Sequence, residues 1–175
     1  VKVVGVGNAG NNIVSRIYGK IEGVKFVVFN TDANALKYAK ADLKIQIGEK
    51  TTHGRGTGTD PEKGKFAANE DKEKISEALK NTNIVFLVAG LGGGTGTGSS
   101  PVIAKLAKEN ISSGAIVIAI VTTPFDFEGE KRINFATNGI SALESNVDTL
   151  IHIPNQKLYE IVEDNISMAD AFGRI

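Results

Sequence analysis

The chain has 175 residues, 20 lysines and arginines against 20 aspartates and glutamates, and no cysteine. That length suffices for one domain with a sizeable core, and the missing thiols exclude a disulfide or cysteine–zinc framework and fit a cytosolic protein. Zero formal net charge argues against a sequence-independent nucleic-acid binder or an electrostatic membrane binder, and no stretch reads as a membrane span or a signal peptide.

Residues 1–6 read as a buried strand that already includes Val1, so the numbering is expected to begin inside a larger protein. The strand runs into Gly5-Val6-Gly7-Asn8-Ala9-Gly10-Asn11-Asn12, after which Ile13, Val14 and Ile17 mark a helix. The spacing Gly5, Gly7, Gly10 satisfies G-x-G-x-x-G, and Asp32 lies about where a Rossmann fold puts its ribose-binding acid; alone this signal is weak. Asn11 and Asn12 offer amides that could read a base edge or a ribose. Residues 25–29 form the next strand, 33–39 a short helix and 43–47 a third strand. A second glycine-rich turn follows in Gly54-Arg55-Gly56-Thr57-Gly58-Thr59-Asp60-Pro61, with Asp60 and Pro61 placed as N-cap and first helical residue. Residues 62–83 read as one charged helix with Ile75, Ala78 and Leu79 facing inward and Asp71 to Lys74 on a solvated face.

Residues 84–88 are short, apolar and β-branched, as in a strand buried on both faces. Six glycines then fall within positions 90–98, ahead of a helical pattern that starts at Pro101 with Ser100 as its candidate N-cap. Glycines between a strand and a helix N-terminus allow backbone N–H groups to converge on one anion. A Walker loop is excluded because Gly98 is followed by Ser99-Ser100 instead of lysine. Residues 115–121 form the most hydrophobic strand, 130–144 a helix, 147–153 a strand, 158–162 a helix, and a last helix begins at Met168. Glu128 and Arg132 stand four apart, as a ligand-facing pair or as a plain surface ion pair. His53 and His152 are isolated and read as ordinary loop and strand residues with no metal role. The alternation predicts an α/β fold: a Rossmann-like, mostly parallel sheet with helices on both faces in three layers, and its glycine turns converging beyond the carboxyl ends of the strands.

Taken together, these residues resemble the tubulin/FtsZ GTPase family, and within it the bacterial-type FtsZ branch. Gly92-Gly93-Gly94-Thr95-Gly96-Thr97-Gly98 is similar to that family's phosphate signature, and Gly10-Asn11-Asn12, Asn30-Thr31-Asp32, Phe127-Glu128-Gly129, Asp148-Thr149-Leu150-Ile151 and Asp170-Ala171-Phe172 fall in its order. The resemblance implies that GTP or GDP, with Mg²⁺ alongside GTP, is bound by Asn8, Ala9, Gly10, Asn11 and Asn12 at the phosphates and nucleoside. Gly93, Gly94, Thr95, Gly96, Thr97 and Gly98 would wrap the phosphates. Glu128 would contact the ribose, Arg132 ribose and phosphate, Asn155 the guanine, and Phe172 would stack on the base. Asn8 stands where the family usually has glycine, and the 54–60 turn departs from its commoner alanine, glycine and asparagine.

The resemblance further implies a cell-division protein, cytoplasmic at the division site. It would pair with itself head to tail in a homopolymer and meet division-ring proteins and membrane tethers, without binding nucleic acid or inserting into a membrane. Residues 1–175 would be its GTP-binding domain, ending at the start of the central helix, with the C-terminal domain absent and no catalytic residue of its own. Hydrolysis would be completed by a loop of the neighbouring subunit. A dinucleotide-binding oxidoreductase domain and a non-hydrolysing structural paralogue are the alternatives. If the loop glycines face phosphate, Gly94→Val or Gly96→Val should abolish nucleotide binding and leave the fold intact.

Overall fold

The computed structural model describes residues 1–109 and 115–161. Its strands are β1 (Lys2–Val6), β2 (Lys25–Asn30), β3 (Leu43–Gln46), β4 (Ile84–Gly90), β5 (Ile116–Thr123) and β6 (Thr149–Pro154). Its helices are α1 (Gly7–Ile17), α2 (Ala33–Tyr38), α3 (Glu49–Thr52), α4 (Pro61–Glu70), α5 (Lys72–Leu79), α6 (Thr95–Glu109), α7 (Glu130–Glu144) and α8 (Leu158–Ile161), with 3₁₀ turns at Asp126–Glu128 and Asn155–Lys157. None of these helices is long and apolar enough to cross a membrane.

All six strands are parallel, in the order β3-β2-β1-β4-β5-β6. Strand alternation sends Val4, Val27, Phe29, Leu87 and Val117 to one face, where α4 to α7 close a large core that includes Ile75, Leu79, Ile103 and Leu143. Val3, Phe26, Val28 and Val88 turn to the other face, against Val14 of α1 and Leu36 of α2. The three-layer α/β arrangement is therefore present, with a sheet that is parallel throughout. The order reverses between β1 and β4, and open sheets of this kind bind ligands beyond the strand carboxyl ends at that reversal.

Three boundaries differ from the sequence reading. The first helix begins at Gly7, inside the first glycine turn. The helix after β4 begins at Thr95, so Ser100 is not its cap and Pro101 lies inside it. Gly98 N–H donates to the Gly94 carbonyl at 2.9 Å, which extends the helical ladder through the glycines. Their low propensity, roughly 1 kcal/mol each, is offset by tight packing. The 62–83 segment is two helices broken at Asp71, which is buried and belongs to no solvated face. Its carboxylate accepts from Gly48 N–H at 2.7 Å and pairs with Lys74 at 2.6 Å. The expected cap at Asp60 is present, accepting from Glu62 and Lys63 N–H groups. The helix expected from Met168 lies outside the described residues.

The tightest helix contact is α4 on α6. A Cβ on Gly98 would collide with the Pro61 carbonyl, and one on Gly64 would lie 3.0 Å from the Gly94 carbonyl carbon. Gly98→Ala is therefore expected to lower the urea midpoint, because overpacking of about 1–3 kcal/mol outweighs a propensity gain of about 1 kcal/mol. An unchanged or raised midpoint would show that α4 can move away.

Asp148 clamps the start of β6. Its Oδ2 accepts from Val117 N–H at 2.8 Å and its Oδ1 pairs with Lys108 at 2.9 Å. The Val117 N–H first, and then Lys108, hold this carboxyl below its ordinary value. A lowered folded-state pKa contributes stability that is present above the ordinary carboxylate value and lost as pH falls through the lowered one. Asp148→Asn is expected to destabilise at neutral pH and to flatten the acid limb of thermal unfolding followed from about pH 7 down to about pH 3.

Candidate functional site

The carboxyl ends of the strands carry a cleft of about 430 Å³, within the range of small-molecule sites. Its centre is built where β1 and β4 diverge. α1 leaves β1 at Gly7, which has a left-handed φ of 70°, and Gly10 lets the helix rest on β4, where a Cβ would collide with the Val88 carbonyl. On the β4 side, Leu91 N–H donates to the Thr122 carbonyl and Gly92 N–H to the Thr97 hydroxyl, folding the glycine run over the end of the sheet.

Polar ties then lock the neighbouring strand ends to this centre. Asn30 donates to the Asn8 side-chain oxygen at 2.8 Å, and the Thr31 and Thr95 hydroxyls are 2.6 Å apart. The turn of residues 54–60 hangs from the β2–α2 junction: Ala33 N–H donates to the Gly54 carbonyl and Gly56 N–H to the Thr31 carbonyl. Gly54, Gly56 and Gly58 all take positive φ.

Nine of the residues singled out in the sequence line the cleft. Asn8 and Ala9 come from α1, Gly93 from the loop and Gly94, Thr95 and Gly96 from around the start of α6, and Glu128, Arg132 and Asn155 stand on the opposite wall. Five do not line it. Gly10 lies under α1 as described. Asn11 is 2% exposed, and with its amide nitrogen facing inward it donates to the Gly5 and Gly7 carbonyls at 3.1 and 3.0 Å. Asn12 is exposed on α1 away from the cleft. Thr97 holds Gly92 from below, and Gly98 faces α4. Phe172 lies outside the described residues.

The glycines divide by what faces them. A Cβ on Gly94 would collide with the Thr57 hydroxyl and lie 2.8 Å from Asp60 N, and one on Gly96 would collide with the Gly90 carbonyl. These two positions are filled by the protein's own backbone, so valine there would disturb the fold, contrary to the expectation that it would leave the fold intact. Gly93 alone in the 92–98 run would meet nothing within 4 Å.

Charge in the cleft is balanced and largely committed. Glu128 Oε2 accepts from Arg132 at 2.7 Å while its Oε1 accepts from Phe125 N–H at 2.9 Å, so the pair exists and also lines the cleft. Asp32 Oδ1 accepts from Asn34 and Ala35 N–H groups and caps α2, and the residue also lines the cleft. Outside the candidate set, Arg55, Thr57 and Thr59 of the 54–60 turn, Asn30 at the end of β2, and Thr122 and Pro124 after β5 also line the cleft. The alternation of glycine with hydroxyl and arginine residues in 54–60 was the signal for that turn. His152 faces Thr123 at 2.8 Å on the sheet, and His53 sits in a left-handed loop position.

Residues 1–163 match the model of the Tubulin/FtsZ family, GTPase domain. The FtsZ dimer of M. jannaschii, solved empty, superposes with a TM-score of 0.91 at 47% identity, over 99% of this chain and 50% of its own. CetZ1 from Haloferax volcanii, solved as a GDP-bound monomer, gives 0.86 at 25% identity over 99% of this chain and 55% of its own. CetZ2 from the same organism, a GTPγS-bound protofilament, shares the fold with a TM-score of 0.87 at 24% identity, over 98% of this chain and 53% of its own. The chain thus spans about half the length of the solved structures it matches. A six-stranded parallel sheet with a glycine-built cleft at its reversal, a GTPase-domain match over residues 1–163 and 47% identity to an FtsZ together place this chain in the Tubulin/FtsZ family.

Proposed function

We propose that the cleft binds GTP and GDP and that the chain is the nucleotide-binding domain, residues 1–175, of a filament-forming, FtsZ-type cell-division GTPase acting in the cytoplasm at the division site. The observation that carries this reading is the open backbone of Gly93 at the cleft centre, beside the starts of α1 and α6. Each helix start favours an anion by about 0.3–1 kcal/mol, and its first N–H groups lack helical partners. No lysine stands among the described lining residues, so phosphate would be held by backbone N–H groups, hydroxyls and arginine.

The layout supports one direction for the ligand. Glu128, Arg132 and Asn155 follow β5 and β6 and line the cleft, so with the contacts that the family resemblance implies for them the ribose and guanine would lie at that edge and the phosphates over α6. Phe172 would stack on the base, by family resemblance. Among the described residues no group of three or more His, Cys, Asp or Glu could hold a metal. Mg²⁺ accompanying GTP would therefore be bound mainly through phosphate oxygens and water, where it would offset their charge. The carboxylates near the cleft are occupied: Asp32 caps α2, Asp60 caps α4 and Glu128 pairs with Arg132. Each of these carboxylates already has a structural task, which supports hydrolysis completed by a group from the next subunit. The M. jannaschii FtsZ dimer supports self-association of this chain's full-length form. Division-ring proteins and membrane tethers would be its further partners.

Titration calorimetry with GTP, GDP, ATP and NAD tests the reading, with binding of the guanine nucleotides alone expected. Binding of NAD alone would favour an oxidoreductase domain, and binding of nothing a structural paralogue. Gly93→Val is expected to keep the urea midpoint and lose at least about tenfold in GTP affinity, the scale of one charged hydrogen bond. Gly96→Val should instead lower the midpoint itself. Unchanged GTP affinity in Gly93→Val would move the phosphates off this loop.

Phosphate release by the 175-residue chain is expected to stay at background at every protein concentration. Adding a fragment that carries the rest of an FtsZ-type protein should restore it, at a rate that depends on the concentrations of both pieces. Robust turnover by the chain alone would place the activating group within it and end the shared-site mechanism.

A further inference from the structure

Resting on the nucleotide reading of the cleft, we infer that Glu70 and Asp71, two adjacent carboxylates outside it, are positioning residues of the binding site. They clamp the start of α3 and so hold one wall of the cleft in place. That wall is the run Arg55 to Thr59, all of which lines the cleft, whereas Glu70 and Asp71 do not.

α3 is four residues long, and its N-cap, Gly48, has no side chain to satisfy the first N–H groups. Two acids at the joint of α4 and α5 do so instead. Asp71 Oδ2 accepts from Gly48 N–H at 2.7 Å, and Glu70 Oε1 from Lys50 N–H at 2.8 Å. Glu70 Oε2 accepts from Thr51 N–H at 3.0 Å and from the Thr51 hydroxyl at 2.6 Å. Bonds to an ionised carboxylate are stronger than neutral ones, and so short a helix has little stability of its own. Gly48 also packs on α4, where a Cβ would collide with Ala67.

The clamp reaches the cleft through the backbone. Thr52 N–H donates to the Gly48 carbonyl at 2.8 Å and Arg55 N–H to the Thr52 carbonyl at 3.0 Å, while the Thr52 hydroxyl contacts the Gly48 and Thr31 carbonyls. The wall follows directly, and at its other end Asp60 caps α4. α4, ten residues or about 15 Å long, therefore holds the segment 48–60 at both ends: its last residue and the joint beyond it grip Gly48 to Thr51, and its first turn receives Asp60. Between these anchors Gly54, Gly56 and Gly58 take positive φ, and a Cβ on Gly58 would meet nothing within 4 Å. Glycine loses more freedom on ordering than any other residue, so a wall built of it depends on how firmly its ends are held. A site whose competent form is only partly populated binds with an affinity reduced by that fraction.

The test is amide hydrogen exchange and GDP titration of the 175-residue chain and of its Glu70→Ala variant. Glu70→Ala is expected to leave the amides of residues 48–59 nearly unprotected while those of β1 and β4 stay protected, and to weaken GDP binding about three- to tenfold. Saturating GDP should return protection to 48–59 in the variant, because the coupling between ligand and segment is reciprocal. Glu70→Gln, which keeps one carbonyl acceptor, should show both effects at smaller size, and it takes the place of Glu70→Ala if alanine strips protection from the whole chain. Lost protection in 48–59 with unchanged GDP affinity would overturn the positioning role, as would weaker GDP binding with protection there unchanged. Failure of the parent chain to bind GDP would overturn the nucleotide reading, and this role with it.

Discussion

Everything at the carboxyl end of this sheet depends on backbone lying directly against backbone. Gly10 of α1 sits on the Val88 carbonyl of β4, Gly96 of α6 on the Gly90 carbonyl, Gly64 of α4 on the Gly94 carbonyl, and Gly98 of α6 on the Pro61 carbonyl. At each of these places a single Cβ would push two elements apart. Because interiors are packed to near-crystalline density, such a displacement cannot be absorbed locally. The approach of α1 sets one wall of the cleft and the approach of α4 carries the 54–60 turn to the other. The glycines therefore serve the cleft chiefly by removing bulk between elements, while Gly93 and Gly58 offer open backbone to a ligand.

The electrostatics follow from that geometry. Two helices begin at the cleft floor, and their first N–H groups are free of helical partners by construction. Fixed dipoles of this kind need no lysine and carry no charge to be neutralised in the empty state. Side-chain charge is instead spent on holding the rim: Asp32 and Asp60 cap the helices that flank the 54–60 turn, and Glu128 fixes Arg132 while closing its own 3₁₀ turn through Phe125. A cleft whose acids each serve a structural contact is suited to binding an anion. In the proposed reading, binding and turnover are accordingly divided between subunits.

Much of this was legible in the sequence because periodicity survives in a parallel sheet. The apolar runs of residues 84–88 and 115–121, the Asp60–Pro61 helix start and the helix over 130–144 all appear where the residues point. What was not legible is where glycine ceases to be a turn. Local propensity puts Gly94 to Ser100 outside a helix, yet α6 runs through them because tertiary contacts with β4 and α4 outweigh propensity. The same blindness hid Asp71, whose place in a run of charged residues gave no hint of the Gly48 N–H that draws it inward. It also obscured Asn11, polar and beside a glycine turn but committed to the Gly5 and Gly7 carbonyls. In each case the deciding partner is distant in sequence or is backbone, and neither leaves a mark on a single chain's pattern.

The strand order adds a last consequence. A parallel sheet is a ruler perpendicular to its strands, and its carboxyl edge assigns successive ligand groups to successive strands. In the proposed orientation the β5–β6 end would meet the base and the β1–β4 reversal the phosphates. These ends are supported differently. The base end is framed by a 3₁₀ turn at Asn155 and the exposed Glu128–Arg132 pair. The β2 end carries a turn with three left-handed glycines, hung by main-chain hydrogen bonds from the β2–α2 junction and pressed on Gly94 through Thr57. That turn's backbone is thereby coupled to both β2 and α4, while the base end rests on a 3₁₀ turn and one ion pair.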